Sequence, residues 1–187
     1  MEPPGIAFRL LDGTQAAEDT AELQELQAEV YADPPYQRPD AAGQFAARFR
    51  VQRRQPGFVL AEARHGAYLV GYAAGMPLRP STSWWRDVTS PLPEEVTAEH
   101  AGRTFALTEL LVRAAWRRQG IGRALHDLIL AGRGEERATL TVRPAATAAQ
   151  GAFRSWGWRK VARTRTDGPE SPVADVLLTT LPGGGAG

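Results

Sequence analysis

Residues 105–122 read Phe-Ala-Leu-Thr-Glu-Leu-Leu-Val-Arg-Ala-Ala-Trp-Arg-Arg-Gln-Gly-Ile-Gly. Phe105 to Val112 is mostly apolar and contains no helix or strand breaker, which predicts a strand covered on both faces. Arg113 to Gln119 turns basic, two close glycines follow, and Arg123 to Leu130 has a helical pattern. Glycines at 120 and 122 let backbone N–H groups approach a ligand with no side chain in the way. The helix opening there adds unpaired N–H donors and the positive end of its dipole, so the junction suits an anion, most often a phosphate. Arg117, Arg118 and Arg123 bring full positive charges to the same place.

A dinucleotide fingerprint needs a third glycine three residues after the second, and position 125 is Leu. A P-loop needs Gly-Lys-Ser/Thr, whereas the only lysine in the chain is Lys160. What is present is Arg117-x-x-Gly120-x-Gly122 after a strand ending Leu-Leu-Val. This closely resembles the acyl-CoA signature of the GCN5-related N-acetyltransferase (GNAT) family. The resemblance implies acetyl-CoA as co-substrate. It implies that the glycines and helix start hold the CoA pyrophosphate, through Arg117, Arg118, Gln119, Gly120, Ile121, Gly122 and Arg123. It also implies that the backbone at Leu111, Val112 and Arg113 pairs with the pantetheine arm. The alternative is an arginine-rich helix start with no ligand.

Composition sets bounds around that motif. A chain of 187 residues fits one domain with a sizeable core. A formal charge of +1 gives no electrostatic case for nucleic acid or a membrane surface as partner. The absence of cysteine excludes a cysteinyl acyl-enzyme, a thiolate metal site and disulfides, and no metal is expected. Residues 1–13 are too short and polar for a signal peptide, and no apolar run is long enough to span a bilayer, so a cytoplasmic protein is the default expectation.

Along the chain, Ile6 to Leu11 reads as a strand closed by Asp12-Gly13. A helix capped by Asp19 or Thr20 runs to about Tyr31, with Leu23, Leu26 and Val30 on one face; Pro34-Pro35 ends it. A second helix from about Pro39 buries Phe45 and Phe49. Phe58 to Ala63 and Ala67 to Met76 form a hairpin across Arg64-His65-Gly66. Residues 79–103 show no clean period, an unusually long connection within a domain. It carries Trp84, Trp85 and the cluster Glu94, Glu95, Glu99 and His100. After the central helix, with Ile121, Leu125, Leu128 and Ile129 inward and His126 at the surface, the strand Ala138 to Arg143 should lie parallel to the 105–112 strand. A last helix, capped by Thr147, reaches Trp156 and stops at Gly157. Trp158 to Arg163 and Val173 to Leu181 close the sheet across Asp167-Gly168-Pro169. The glycine-rich residues 182–187 are expected to be disordered.

The order β-α-α-β-β-β-α-β-α-β-β resembles the single-domain acyl-CoA N-acyltransferase fold of that family over residues 6–181. This is an α/β (α+β) architecture, a mixed central sheet flanked by helices, with 79–103 as an insertion beside the acceptor site. The family is often dimeric, which makes a homodimer one of its implications. The implied reaction moves an acetyl group from acetyl-CoA to a primary amine of a small molecule or peptide, by direct attack in a ternary complex. Glu109 is the only acid on the central strand, and a carboxylate on a buried strand is rarely idle. It is the candidate base, taking the amine proton directly or through water. The alternative is an ion pair near the cleft, with Glu94, Glu95 or Glu99 serving instead. Trp84 and Trp85 are candidates for the wall of an amine pocket; the alternative is that they glue the loop to the body. A Val112 N–H is the candidate donor to the thioester oxygen, a kind of contact worth about 2.7–4 kcal/mol.

One departure from the family pattern stands out. Its Asn-x-x-Ala-x-x-x-Tyr-x-x-x-Gly-Phe becomes Ala146, Ala149, Phe153, Gly157 and Trp158. The tyrosine that commonly protonates the departing thiolate is Phe153, which has no proton to give. A free thiol has a pKa near ~8.5, so the loss need not be fatal at neutral pH. A catalytically weak CoA-binding sensor or scaffold is the rival reading.

Overall fold

The computed structural model describes residues 5–37, 41–165 and 172–183. The strands are β1 (Ala7–Asp12), β2 (Val59–His65), β3 (Tyr68–Pro77), β4 (Thr104–Val112), β5 (Arg137–Val142), β6 (Arg159–Arg165) and β7 (Val173–Thr180). The helices are α1 (Thr20–Val30), α2 (Ala41–Gln52), the short α3 (Glu94–Thr97), α4 (Ile121–Leu130) and α5 (Thr147–Ser155). The seven strands form one sheet in the order β1-β2-β3-β4-β5-β7-β6. This is the mixed, helix-flanked sheet expected from the sequence.

The chain divides into two compact units, Met1–Met76 with Leu107–Ala131, and Pro77–Ala106 with Gly132–Gly187. In the first, β1, β2 and β3 are antiparallel neighbours, with a register shift in β2 between Ala63 and Arg64. Arg113 N–H meets Val70 O at 2.9 Å and Thr108 Oγ1 donates to Ala74 O at 3.1 Å, so β4 runs antiparallel to β3. One sheet face is covered by α1 and α2. Leu23, Leu26 and Val30 join Phe45, Phe49, Phe58, Leu60, Tyr72 and Leu111 in one buried cluster, as the helical spacing predicts. Phe45 and Phe49 stack at 5.2 Å, one helical turn apart. The other face carries α4. Gly71, beside Tyr72 on β3 and so on the opposite face, has no room for a side chain. A Cβ there would lie 2.8 Å from Leu111 O and 3.2 Å from Leu125 Cδ1. Ile121, Leu125 and Ile129 form the inner stripe of α4 as expected, whereas Leu128, also expected inward, is only half-buried.

His126 corrects the surface position expected for it: it is only 6 % exposed. Its Nδ1 lies 2.8 Å from Asp127 Oδ1. Burial lowers the His126 pKa below its ordinary value, and the Asp127 hydrogen bond offsets this only in part. Asp127 ends below the ordinary carboxylate value, because hydrogen bonds from Arg123 and His126 outweigh the effect of burial.

In the second unit β4 begins. Thr104, Phe105 and Ala106 pair in parallel with Arg137, Ala138 and Thr139 of β5, the predicted orientation. β5 then pairs antiparallel with β7, and β7 with β6. The connection 79–103 is ordered against this unit. Val88 forms a bridge with Thr164 of β6, and Thr89 N–H donates to Arg163 O at 2.8 Å, which covers an otherwise open sheet edge. Trp85 packs with Ala162, Val176 and Leu178, and Trp84, Val88, Leu92 and Val96 lie against that cluster. α5 starts one residue earlier than its expected cap would allow. Ala146 is the N-cap, Thr147 is the first helical residue, and no side chain caps the helix. Gly157, at φ +90°, ends it in the left-handed conformation that favours glycine. Pro39, Asp167-Gly168-Pro169 and residues 184–187 lie outside the described residues.

Candidate active site

Glu109 sits on the face of β4 shared with Leu111, under α1 and α2. Three side chains point donors at its carboxylate. Tyr31 Oη donates to Oε2 at 2.7 Å, Arg48 Nη2 to Oε1 at 3.2 Å, and Gln27 Nε2 to Oε1 at 3.4 Å. The carboxylate side chain is 10 % exposed. Gln27 lies on α1 and Tyr31, four residues on, is its C-cap, so the two side chains share one face. None of the three was singled out from sequence. The available signal was Gln27, a polar residue one turn after Leu23 inside an apolar stripe. Tyr72, on β3, completes the cluster. It is 1 % exposed and its hydroxyl makes no hydrogen bond. Burial raises its pKa far above the ordinary value, with the nearby Glu109 charge adding to the effect, so the hydroxyl stays neutral.

The basic turn lies at the far end of β4. Arg118 has φ +64° and Gly120 φ +84°, so the chain passes twice through the left-handed region before the helix begins. The backbone bond from Ala124 N–H to Gly120 O, 3.0 Å, is the first of α4. The N–H groups of Ile121, Gly122 and Arg123 therefore have no intrahelical partner. A Cβ at Gly122 would have only Val112 Cγ2 nearby, at 3.8 Å, so packing within the protein does not require glycine there. Arg118 and Gln119 are exposed. Arg117 Nε donates to Val112 O at 3.0 Å, and Arg123 pairs with Asp127 at 2.6 Å. An anion reaching this turn meets a rim of backbone donors and guanidiniums. Such donors could hold a phosphate-bearing cofactor.

Arg113 is placed differently from its basic neighbours. It is 4 % exposed, its guanidinium donates to Leu69 O at 2.8 Å, and it bridges to Glu29 and, at 3.4 Å, to Glu25. Its side chain fastens α1 to β4 and does not face the turn. In the second unit, the Trp85 indole N–H donates to Glu99 Oε1 at 2.9 Å, and Arg137 binds the same oxygen at 2.9 Å. Glu99 is thereby held in a packed ion pair, and Trp84 and Trp85 are part of the apolar cluster beside β6 and β7. Phe153 is buried with its ring edge-on to Trp156 and Trp158, at 5.5 and 5.8 Å. Among the described residues no group of three or more acidic, His or Cys side chains could hold a metal, and no helix is long and apolar enough to cross a membrane.

Comparison with known proteins bears on the fold and the family. By sequence, no curated protein matches the chain. By fold, it resembles the ribosomal-protein-S18-alanine N-acetyltransferase of Escherichia coli, with TM-score 0.65 and 16 % identity over 97 % of this chain and 96 % of the other. It also resembles the PaiA N-acetyltransferase of Thermoplasma acidophilum in complex with coenzyme A, with TM-score 0.62 and 14 % identity over 94 % and 98 %. A third likeness is to aminoglycoside 6'-acetyltransferase type Ii, with TM-score 0.65 and 15 % identity over 94 % and 97 %. Residues 18–158, which hold both the Glu109 cluster and the basic turn, match the model of the acetyltransferase (GNAT) family, and the chain belongs to that family.

Proposed function

We propose that the protein transfers the acetyl group of acetyl-CoA to a primary amine of a small molecule or peptide, in a ternary complex with no acyl-enzyme. Family membership supports acetyl transfer in general. The observation that carries the finer reading is Glu109, a carboxylate on the central strand ringed by hydrogen-bond donors. In this reading the turn from Arg117 to Arg123 binds the diphosphate, and the backbone of Leu111 and Val112 aligns the pantetheine arm. Glu109 takes a proton from the ammonium, directly or through water. The nitrogen lone pair forms the N–C bond, the C–S bond breaks, and the electron pair leaves with sulfur. Phe153 cannot protonate the thiolate, so the second proton, shed by the nitrogen as the amide forms, reaches the sulfur through water. That missing hydroxyl is also the observation behind the second reading, a CoA-binding sensor with little turnover.

Thiol release from acetyl-CoA against a panel of primary amines tests both. Glu109→Gln should lower kcat by about 10²- to 10⁴-fold, the range for removing a general base, with the KM for acetyl-CoA unchanged. Full activity in the variant would refute Glu109 as base. Binding of acetyl-CoA by the unaltered protein with no turnover on any amine would favour the sensor.

A further inference from the structure

Among the described residues, three buried side chains keep a polar atom without a hydrogen bond, those of Tyr72, Trp84 and Glu99, and Tyr72 is the one beside Glu109. Its hydroxyl is buried, neutral and without a hydrogen-bond partner, yet it lies close enough to feel the charges of Glu109 and Arg48. Burying a hydroxyl unpaired costs stability that a phenylalanine there would not. A site that retains such a group offers it to something absent from the folded chain alone.

The surroundings specify what that is. Tyr31, Gln27 and Arg48 all bring donors to Glu109. A carboxylate has about four lone-pair sites, so these donors leave it roughly one. The Tyr72 oxygen is the other open acceptor in the cluster. The complementary ligand supplies N–H groups to two acceptors at once, as an ammonium does.

We propose that Tyr72 is a specificity-determining residue whose hydroxyl oxygen accepts one N–H of the attacking amine while Glu109 accepts a second, which selects primary over N-methyl amines. The proposal rests on Glu109 being the base. A primary ammonium has three N–H groups. One goes to Tyr72, one to Glu109, and the third faces the thioester carbon, where loss of its proton bares the attacking lone pair. That proton passes to Glu109 through water. A secondary ammonium has only two N–H groups, so its methyl falls against Tyr72 and leaves the hydroxyl unpaired again. A phenylalanine at this position would accept that methyl without penalty.

The test compares unaltered protein, Tyr72→Phe and Tyr72→Met for thiol release with glycinamide, phenethylamine and putrescine and with their N-methyl counterparts, together with unfolding temperatures. The unaltered protein should prefer the primary amine of each pair. Both variants should reduce that preference about tenfold, the worth of one hydrogen bond, through the primary amine's kcat/KM. Tyr72→Phe should unfold at the same temperature or higher. An unchanged preference in either folded variant would overturn the role of Tyr72 and leave Glu109 standing. A lower unfolding temperature with equal losses on all amines would make Tyr72 a core residue and likewise overturn it. If the unaltered protein acetylates no amine, the proposed function falls and this inference with it.

Discussion

Replacing Gly122 with alanine should move stability and ligand affinity in opposite directions. Gly122 is the second residue of α4, and its φ is not in the left-handed region. A Cβ there approaches nothing in the protein closer than Val112 Cγ2 at 3.8 Å, an ordinary contact. Alanine in place of a helical glycine is worth about 0.5–1 kcal/mol. For a domain of this size that raises Tm by about 1–4 °C. In the proposed binding mode the same methyl would stand between a diphosphate and the N–H groups of the helix start, and affinity for acetyl-CoA should then fall at least about tenfold. Acetyl-CoA at a hundredfold its Kd stabilises a protein by about 2.7 kcal/mol, and a tenfold weaker Kd leaves about half of that. A thermal-shift titration therefore shows a variant that melts higher than wild type without ligand and gains about half as much with it. Gly43→Ala in α2, where a Cβ meets nothing within 4 Å, is the control, expected to gain stability and keep the full ligand shift. A Gly122→Ala variant with the full acetyl-CoA shift would refute the assignment of the turn as the diphosphate site.

Two further outcomes follow from the structure. Because His126 is held below its ordinary pKa in the fold, the unfolded chain binds its proton first as pH falls. Stability is then lost below about pH 6.5, and His126→Gln should flatten the fall measured by urea unfolding between pH 7 and 5. Phe153→Tyr should keep or raise the rate of thiol release; a large loss would mean the ring itself shapes the acceptor site.

The parts of the fold most legible in the sequence were those with a strong local period or an obligatory backbone. Leu23, Leu26 and Val30 on α1 and Phe45 and Phe49 on α2 turned inward as their spacing required, and Gly120 took up a positive φ at the start of α4. What stayed hidden depended on partners distant in sequence. The donors around Glu109 come from residues 27, 31 and 48, and nothing local to any of them points to position 109. Arg113 entered the sequence reading only through its backbone, and its side chain, continuing the alternation of β4, goes to α1, where Glu29 lies. His126 looked polar and outward, but α4 packs against a sheet face with a glycine at 71, and so close an approach buries more of the helix circumference than its apolar stripe alone suggests.

Arg113 has one more consequence. Glu109 on β4 and Arg113, the residue just after it, are four residues apart, about 13 Å of extended chain. Helix α1 is tied at both places, by Tyr31 and Gln27 at one and by Glu29 and Glu25 at the other. A rod moored at two points cannot slide along the strand without casting off both. At Glu109, α2 adds Arg48, one turn from the buried Phe45 and beside the buried Phe49. The height of Tyr31 and Gln27 above the carboxylate is thereby set in part from Arg113, at the other mooring.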